Sequence, residues 1–267
     1  MSTAIGYLKG SRLAREIEVD PHDSTVVIDE ERVPAGSVAW DVPTHGSVYG
    51  ALLNDRAAFE ALGGAVHEPP YNAPPQAPIL YIKPQNTVAA YGMPIPIPNG
   101  VPQLQVGATL GVVIGKRATK VQASDAPQYI AGYTVVNDVS VPHESVYRPA
   151  ISEKCRDGFC PIGPWVIQAD EVRDADQLAI RVYVNGELRQ EASTATLVRP
   201  VSHLLADVTE FMTLDAGDVL LVGVPHGAPL VGAGDRVKIE IDGVGHLENT
   251  VVQEDECLHF TMGGDSR

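Results

Sequence analysis

Apolar residues in this chain recur mainly with a period of two, the spacing that places side chains on one face of a β-strand. The clearest case is 104–115, where apolar residues alternate with glycine, threonine and glutamine. Asn185-Gly186 is the residue pair typical of a tight hairpin turn between two strands. The pattern predicts a mainly β (α+β) chain. Its further strands are expected at 24–29, 36–41, 79–82, 132–136, 178–184, 188–192, 218–222, 236–241 and 247–252.

Two stretches have helical spacing instead. Asn54 or Asp55 can cap a short helix that runs to Leu62 and ends at Gly63-Gly64. The second stretch is 203–214, where the apolar residues recur every three or four positions. The residues expected to face the core from this helix are Leu204, Leu205, Val208, Phe211 and Met212.

A proline-rich segment at 68–78 indicates an extended connector and a boundary between subdomains. We therefore predict a small N-terminal region at 1–75, a main domain at 76–252 and a C-terminal tail at 253–267.

Composition excludes some classes of function. The formal net charge of −15 argues against nucleic-acid binding, which depends on clustered lysine and arginine, but a local basic pocket can still bind a small anion. The N-terminus lacks a signal-peptide pattern, and no apolar run has the length of a membrane span, so we expect a cytoplasmic protein without membrane contact. Cys155, Cys160 and Cys257 are then expected to be reduced thiols.

Candidate chemistry is concentrated between the end of one predicted strand, at Asn137-Asp138, and the polar loop 147–159. Lys154 can pair with a substrate carboxylate or form an internal salt bridge to Asp157 or Asp138. Asp138 can be a metal ligand or only bond to nearby amides. His143-Glu144 is either an acid–base pair or a solvated part of the loop.

Several short motifs occur over roughly 48–252: Tyr81-Ile82-Lys83-Pro84, Val112-Val113-Ile114-Gly115-Lys116, the run 129–138, Gly163-Pro164-Trp165, Val184-Asn185-Gly186-Glu187 and Gly223-Val224-Pro225-His226-Gly227. These motifs and their order resemble the fumarylacetoacetate hydrolase family. The loop from Tyr147 to Pro161 is most similar to members that act in 4-hydroxyphenylacetate (homoprotocatechuate) catabolism.

The resemblance implies a mixed β roll and a small keto or enol di- or tricarboxylate substrate. It implies an enzyme that decarboxylates 5-oxopent-3-ene-1,2,5-tricarboxylate or isomerises 2-hydroxyhepta-2,4-diene-1,7-dioate, as a homodimer or a heteromer with a homologous subunit. We predict Lys154 and Asp157 as catalytic residues. The predicted substrate-binding residues are Tyr147, Arg148, Arg156 and Thr109.

Two parts of the family's machinery differ here. The family binds Mg²⁺ with a Glu-x-Glu pair on one strand and an aspartate after the next, but this chain has Gly107 and Thr109 at the pair and retains only Asp138. Ala58 stands where the family has a catalytic histidine. We therefore expect weak or absent Mg²⁺ binding. Restoring both glutamates should strengthen it if the strand keeps its register, with the risk that Gly107 marks a close backbone approach.

These departures leave other functions open. The chain can be a non-catalytic subunit that pairs with a metal-competent sister chain, a binding module for an aromatic catabolite, or a hydrolase of acylpyruvates, although the absent histidine weakens the last.

Overall fold

β-Strands are the main regular secondary structure in the computed structural model, which describes residues 1–11, 13–143 and 149–257. The strands are β1 Ser2–Gly6, β2 Arg15–Asp20, β3 Thr25–Ile28, β4 Glu31–Pro34, β5 Val48–Leu52, β6 Ile79–Lys83, β7 Val88–Ala89, β8 Ile95–Ile97, β9 Leu104–Gln105, β10 Ala108–Ile114, β11 Ile130–Asn137, β12 Cys160–Gln168, β13 Ala179–Val184, β14 Glu187–Ser193, β15 Val219–Leu221, β16 Leu230–Val231, β17 Arg236–Ile241 and β18 Gly245–Gln253. The helices are α1 Arg56–Glu60, α2 Ile151–Lys154 and α3 Val201–Thr209. The mainly β class is confirmed.

One large mixed sheet contains eleven strands in the order β4-β3-β2-β1-β12-β11-β10-β15-β5-β6, with β7 paired to β12 beside this path. Most neighbours are antiparallel, whereas β15 pairs with β5, and β12 with β7, in parallel. β10 and β11 lie in the middle, and every residue of β10 is buried because both faces of the sheet are covered there.

A second sheet, ordered β14-β13-β17-β18-β8, packs against the first. Alternate residues of β13 and β17 are buried, so one face of this sheet meets the core and the other meets solvent. Trp165 of the large sheet joins the two layers, since its indole nitrogen donates to the Val244 carbonyl. The Asn185-Gly186 turn connects β13 and β14, which confirms the predicted hairpin.

Both predicted helices exist with different bounds. α1 begins after Asp55, whose carboxylate accepts a hydrogen bond from the Ala58 amide, and it ends at Glu60. α3 begins two residues earlier than expected and ends at Thr209, five residues before the predicted end. The prediction that Phe211 faces the core is therefore wrong: this side chain is exposed, while Leu204, Leu205 and Val208 are buried.

Two strand predictions need correction. Residues 36–41 contain the end of a short 3-10 helix, Ala35–Ser37, and an isolated bridge between Leu8 and Trp40 instead of a strand. The long strand expected at 104–115 is divided into β9 and β10. At the break, the Gly107 amide donates to the Asn137 side chain, which replaces a regular ladder contact.

The N-terminal residues contribute strands to the large sheet, because β1 pairs with β12 and β5 with β15. Strands from both sides of residue 75 thus share one sheet. The division into 1–75, 76–252 and 253–267 stays a prediction.

Candidate functional site

A cleft of about 180 Å³ opens at the edge of the large sheet, beside β6 and the residues that follow β11. α1, α2 and the 224–228 loop complete its walls. The lining residues with chemically useful side chains are Tyr81, Gln105, Asp138, Ser140, His143, Lys154 and His226. Several elements far apart in sequence therefore meet at one small polar concavity.

Asp138 is at the base of this cleft, directly after β11, with a side chain that is fully buried. Lys83 Nζ lies 2.9 Å from its Oδ1, and Lys154 Nζ donates to its Oδ2 at 2.8 Å. Burial by itself would raise the pKa of Asp138, but the ammonium groups of Lys154 and Lys83 outweigh it and hold the pKa well below its usual range. Asp138 is therefore a stable carboxylate and a poor proton acceptor.

Tyr81 on β6 completes this cluster. Its hydroxyl donates to Asp138 Oδ2 at 2.5 Å, and the Lys154 ammonium lies 4.8 Å from the centre of its ring. Burial, together with the neighbouring Asp138 carboxylate, raises the pKa of Tyr81 well above its usual value. Tyr81 therefore keeps its proton and orients the carboxylate.

Lys83 fixes the backbone around the cleft as well as the carboxylate. Its fully buried ammonium donates to the carbonyl oxygens of Val139 at 3.0 Å and Lys154 at 2.7 Å. These bonds tie the segment after β11 to the end of α2, so the Lys154 backbone is held in place. This role of Lys83 was not predicted from sequence, although its place at the end of the apolar run Ile79-Leu80-Tyr81-Ile82 was a usable signal.

The cluster carries a net positive charge. Two ammonium groups face one carboxylate, and the Lys154 side chain is 12% exposed, toward the cleft that it lines. In a partly water-excluded site, an uncompensated positive charge attracts a carboxylate or an enolate oxygen. The arrangement is suited to binding a small anion.

The other predicted residues lie in different places. Arg156 donates to the Ser152 carbonyl and Asp157 accepts a bond from Asn86, and neither is among the cleft-lining residues. Thr109 is fully buried in β10 and is also not part of the lining. Tyr147 and Arg148 lie outside the residues that the structure describes. The structure thus brings Lys154 and Asp138 together in a salt bridge, which is one of the alternatives that the sequence allowed for Lys154.

Comparison with known proteins decides the family. The model for the fumarylacetoacetate (FAA) hydrolase C-terminal domain matches residues 47–252, which is most of the chain. The chain belongs to the fumarylacetoacetate hydrolase family. This confirms the family that the sequence motifs indicated.

One curated relative within the family is similar to this chain in sequence. This chain is 45% identical over 211 residues to the 4-hydroxyphenylacetate degradation bifunctional isomerase/decarboxylase of Escherichia coli, covering 79% of this chain and 48% of that protein. The chain therefore spans about half the length of this curated relative.

Two solved structures share the fold over nearly the whole chain. The 5-carboxymethyl-2-hydroxymuconate delta-isomerase from Mycobacterium smegmatis has a TM-score of 0.74 at 28% identity, covering 95% of this chain and 99% of that one. The 2-hydroxyhepta-2,4-diene-1,7-dioate isomerase from Mycobacterium marinum has a TM-score of 0.75 at 26% identity, with the same coverages. The observed architecture is thus that of the family.

The solved structure of maleylpyruvate hydrolase from Sphingobium sp. SYK-6 contains a manganese(II) ion, and the described residues of this cleft present a different set of groups. Both oxygens of Asp138 already face ammonium groups, which would repel a cation. Gly107 and Thr109 provide no carboxylate, and no cluster of three or more His, Cys, Asp or Glu side chains that could hold a metal occurs among the described residues. The cleft therefore differs from a hard-cation site in both charge and ligands.

Gly107 is also a position where a side chain has no room. A Cβ atom added there would collide with the carbonyl oxygen of Asp138. The risk stated for the paired glutamate change is therefore real: the backbone must move before a glutamate fits at position 107. We expect that change to disrupt the site and not to create Mg²⁺ binding.

A single methyl group tests this close approach. We expect Gly107→Ala to lower the free energy of unfolding by about 1–3 kcal/mol, the usual cost of overpacking a buried site. Gly64→Ala is the matched control, because a Cβ at Gly64 meets nothing within 4 Å. Urea denaturation measures the free energy of unfolding of each variant. Equal values for the two variants would contradict the crowding at Gly107.

Proposed function

We propose that this chain is an isomerase or decarboxylase of small unsaturated keto-dicarboxylates that works without a tightly bound Mg²⁺ ion. Its substrates would be 2-hydroxyhepta-2,4-diene-1,7-dioate or 5-oxopent-3-ene-1,2,5-tricarboxylate. The observation that carries the proposal is the net positive cluster of Lys154, Lys83 and Asp138 in the cleft of a chain 45% identical to an isomerase/decarboxylase.

Both reactions have one chemical requirement in common. Decarboxylation breaks the bond between carbon 2 and its carboxylate, releases CO₂ and leaves the electron pair delocalised onto the oxo oxygen as a dienolate. Protonation of that oxygen gives the dienol, and loss of the same hydroxyl proton begins its isomerisation to the ketone. A positive group that stabilises the dienolate oxygen therefore assists both reactions.

In this proposal, Lys154 is that group. Its ammonium lines the cleft and remains tied to Asp138, so it is pre-organised before the substrate binds. Lys83 and Tyr81 keep Asp138 charged and oriented. Arg148 and Tyr147 remain candidates for a second substrate carboxylate. We assign no direct substrate contact to Arg156, Asp157 or Thr109. The first two side chains bond to residues outside the cleft lining, and Thr109 is fully buried in β10.

A second function is favoured by specific residues: a non-catalytic subunit that pairs with a metal-competent sister chain. Gly107 and Thr109 replace two metal-binding carboxylates, and Ala58, which lines the cleft, replaces the expected histidine. We propose a cytoplasmic homodimer for the first function and a heteromer for the second. No described helix has the length and apolarity needed to span a bilayer.

One assay separates the two functions. The purified chain is incubated with 2-hydroxyhepta-2,4-diene-1,7-dioate, and loss of the dienol chromophore is followed with and without EDTA. We expect turnover that the chelator does not reduce, and isothermal titration with no tight Mg²⁺ binding. Turnover that appears only after Mg²⁺ is added would contradict metal independence. Turnover that requires a Glu-x-Glu sister chain would support the second function.

A further inference from the structure

The imidazole of His143 has an orientation that fixes its tautomer. Nδ1 lies 3.0 Å from the carbonyl oxygen of Val141, and a carbonyl oxygen can only accept a hydrogen bond, so Nδ1 carries the hydrogen. The neutral ring then has its lone pair on Nε2, and no described residue bonds to that atom. His143 also lines the cleft that contains Lys154.

We propose that His143 is the general acid–base of this cleft, transferring the substrate proton through Nε2. The inference rests on the proposed isomerase function and adds a residue to it. At the position in α1 where the family has a histidine, this chain has Ala58. The His143 ring would transfer the proton instead, and it lies in a different element, the segment after β11.

The remaining titratable residues of the cleft wall are less suited to this role. Asp138 is held as a carboxylate by two ammonium groups, and the proton of Tyr81 is committed to Asp138. Lys154 is bound to the same carboxylate. His226 is exposed, and its ring makes no hydrogen bond to any described residue, so nothing fixes its orientation. Among these residues, only His143 combines an oriented ring with an available nitrogen.

Backbone contacts around His143 keep the ring in that orientation. The Val141 amide donates to the Glu153 carbonyl at 2.9 Å, which attaches the segment after β11 to α2. The Glu153 carboxylate accepts a hydrogen bond from the Ser152 hydroxyl, which is the main cause of its lowered pKa, and electrostatic interactions with His143 and Arg156 lower the pKa further. A base oriented by a carbonyl and placed near a carboxylate is a recurrent arrangement for proton transfer.

The proposed step is balanced within the substrate. Nε2 removes the proton from the hydroxyl on carbon 2, and the resulting dienolate oxygen faces Lys154. The electron pair moves so that a C=O bond forms at carbon 2 and the remaining double bond lies between carbons 3 and 4. The imidazolium then gives the proton to carbon 5, which regenerates neutral His143 and leaves the ketone isomer. No oxidant or second reactant is required.

The test is His143→Asn, because the asparagine amide can still donate to the Val141 carbonyl but has no basic nitrogen at the Nε2 position. We expect turnover to fall about a hundredfold or more, the usual contribution of a positioned acid–base. Binding of 2-oxoadipate, a stable 2-oxo dicarboxylate, should change less than about threefold, well below the tenfold that 1.4 kcal/mol represents. His22→Asn, in the exposed turn between β2 and β3, is the matched control and should leave both quantities unchanged.

Two further readouts separate chemistry from structure. Exogenous imidazole should restore part of the turnover of His143→Ala, and ¹⁵N spectra of labelled histidine should show Nδ1–H in the unmodified chain. Full turnover in His143→Asn, loss of 2-oxoadipate binding in that variant, or an Nε2–H tautomer would each overturn the assignment while leaving the isomerase function intact. An unmodified chain that converts no dienol, alone or with a sister chain, overturns the proposed function and this assignment together.

Discussion

Replacing Lys83 with methionine is expected to lower the free energy of unfolding by about 3–5 kcal/mol, because the buried Asp138 carboxylate loses one of its two ammonium partners and two buried carbonyls lose their donor. The Lys83 and Asp138 side chains are both fully buried, and Lys83 Nζ lies 2.9 Å from Asp138 Oδ1. The variant also leaves the carbonyls of Val139 and Lys154 without their donor. Denaturant titration measures the loss. Lys9→Met, at an exposed lysine, is the control and should change stability by less than about 0.5 kcal/mol.

The pH dependence of this loss has a definite sign. The folded-state pKa of Asp138 is depressed, so its stabilising contribution is present above the ordinary carboxyl pKa of about 3.9 and is lost as the pH falls further. Removing Lys83 raises the folded-state pKa of Asp138, whose carboxylate then keeps only Lys154 as an ammonium partner, and protonation relieves part of the cost of burying it. The stability difference between the two proteins should therefore be largest near neutral pH and decrease in acid. A difference that stays constant as the pH is lowered through and well below the ordinary carboxyl pKa would show that the ion pair is not its cause.

Local patterns were sufficient where neighbouring residues determine the structure. The Asn185-Gly186 turn and Asp55 as the cap of α1 both follow from residues within a few positions. The start of α3 could not be predicted in this way, because the amide of Val201 donates to the Asp176 carboxylate, which lies 25 positions earlier in the sequence. The break between β9 and β10 likewise depends on a contact from Gly107 to Asn137.

The candidate site likewise combines residues that the sequence identified with partners that only the fold brings close. Lys154 and Asp138 were identified from sequence, but their partners Lys83 and Tyr81 come from β6, more than fifty positions earlier. Arg156 and Asp157 were predicted in the site because they follow Lys154 closely. Side chains one to three positions apart after a short helix point in different directions, and these two bond to Ser152 and Asn86 instead.

Replacing Lys154 with methionine is the most direct test of the proposed chemistry. The cluster then contains one ammonium and one carboxylate, so its net positive charge disappears. Loss of one pre-organised electrostatic contact commonly costs about a hundredfold or more in rate, and we expect a decrease in kcat/KM of at least that size. The fold should persist, because Lys83 bonds to the backbone carbonyl of residue 154 and not to its side chain.

Two variants control this experiment. Lys154→Arg keeps the charge and should retain more turnover than the methionine variant, although its fork-shaped group will not reproduce the ammonium geometry. Lys9→Met should leave turnover unchanged. Full activity in Lys154→Met would rule out Lys154 as the group that stabilises the dienolate. If the intact chain is active only with a metal-competent sister chain, a Lys154 substitution should alter assembly of the pair, measured by light scattering, and leave the partner's chemistry unaffected.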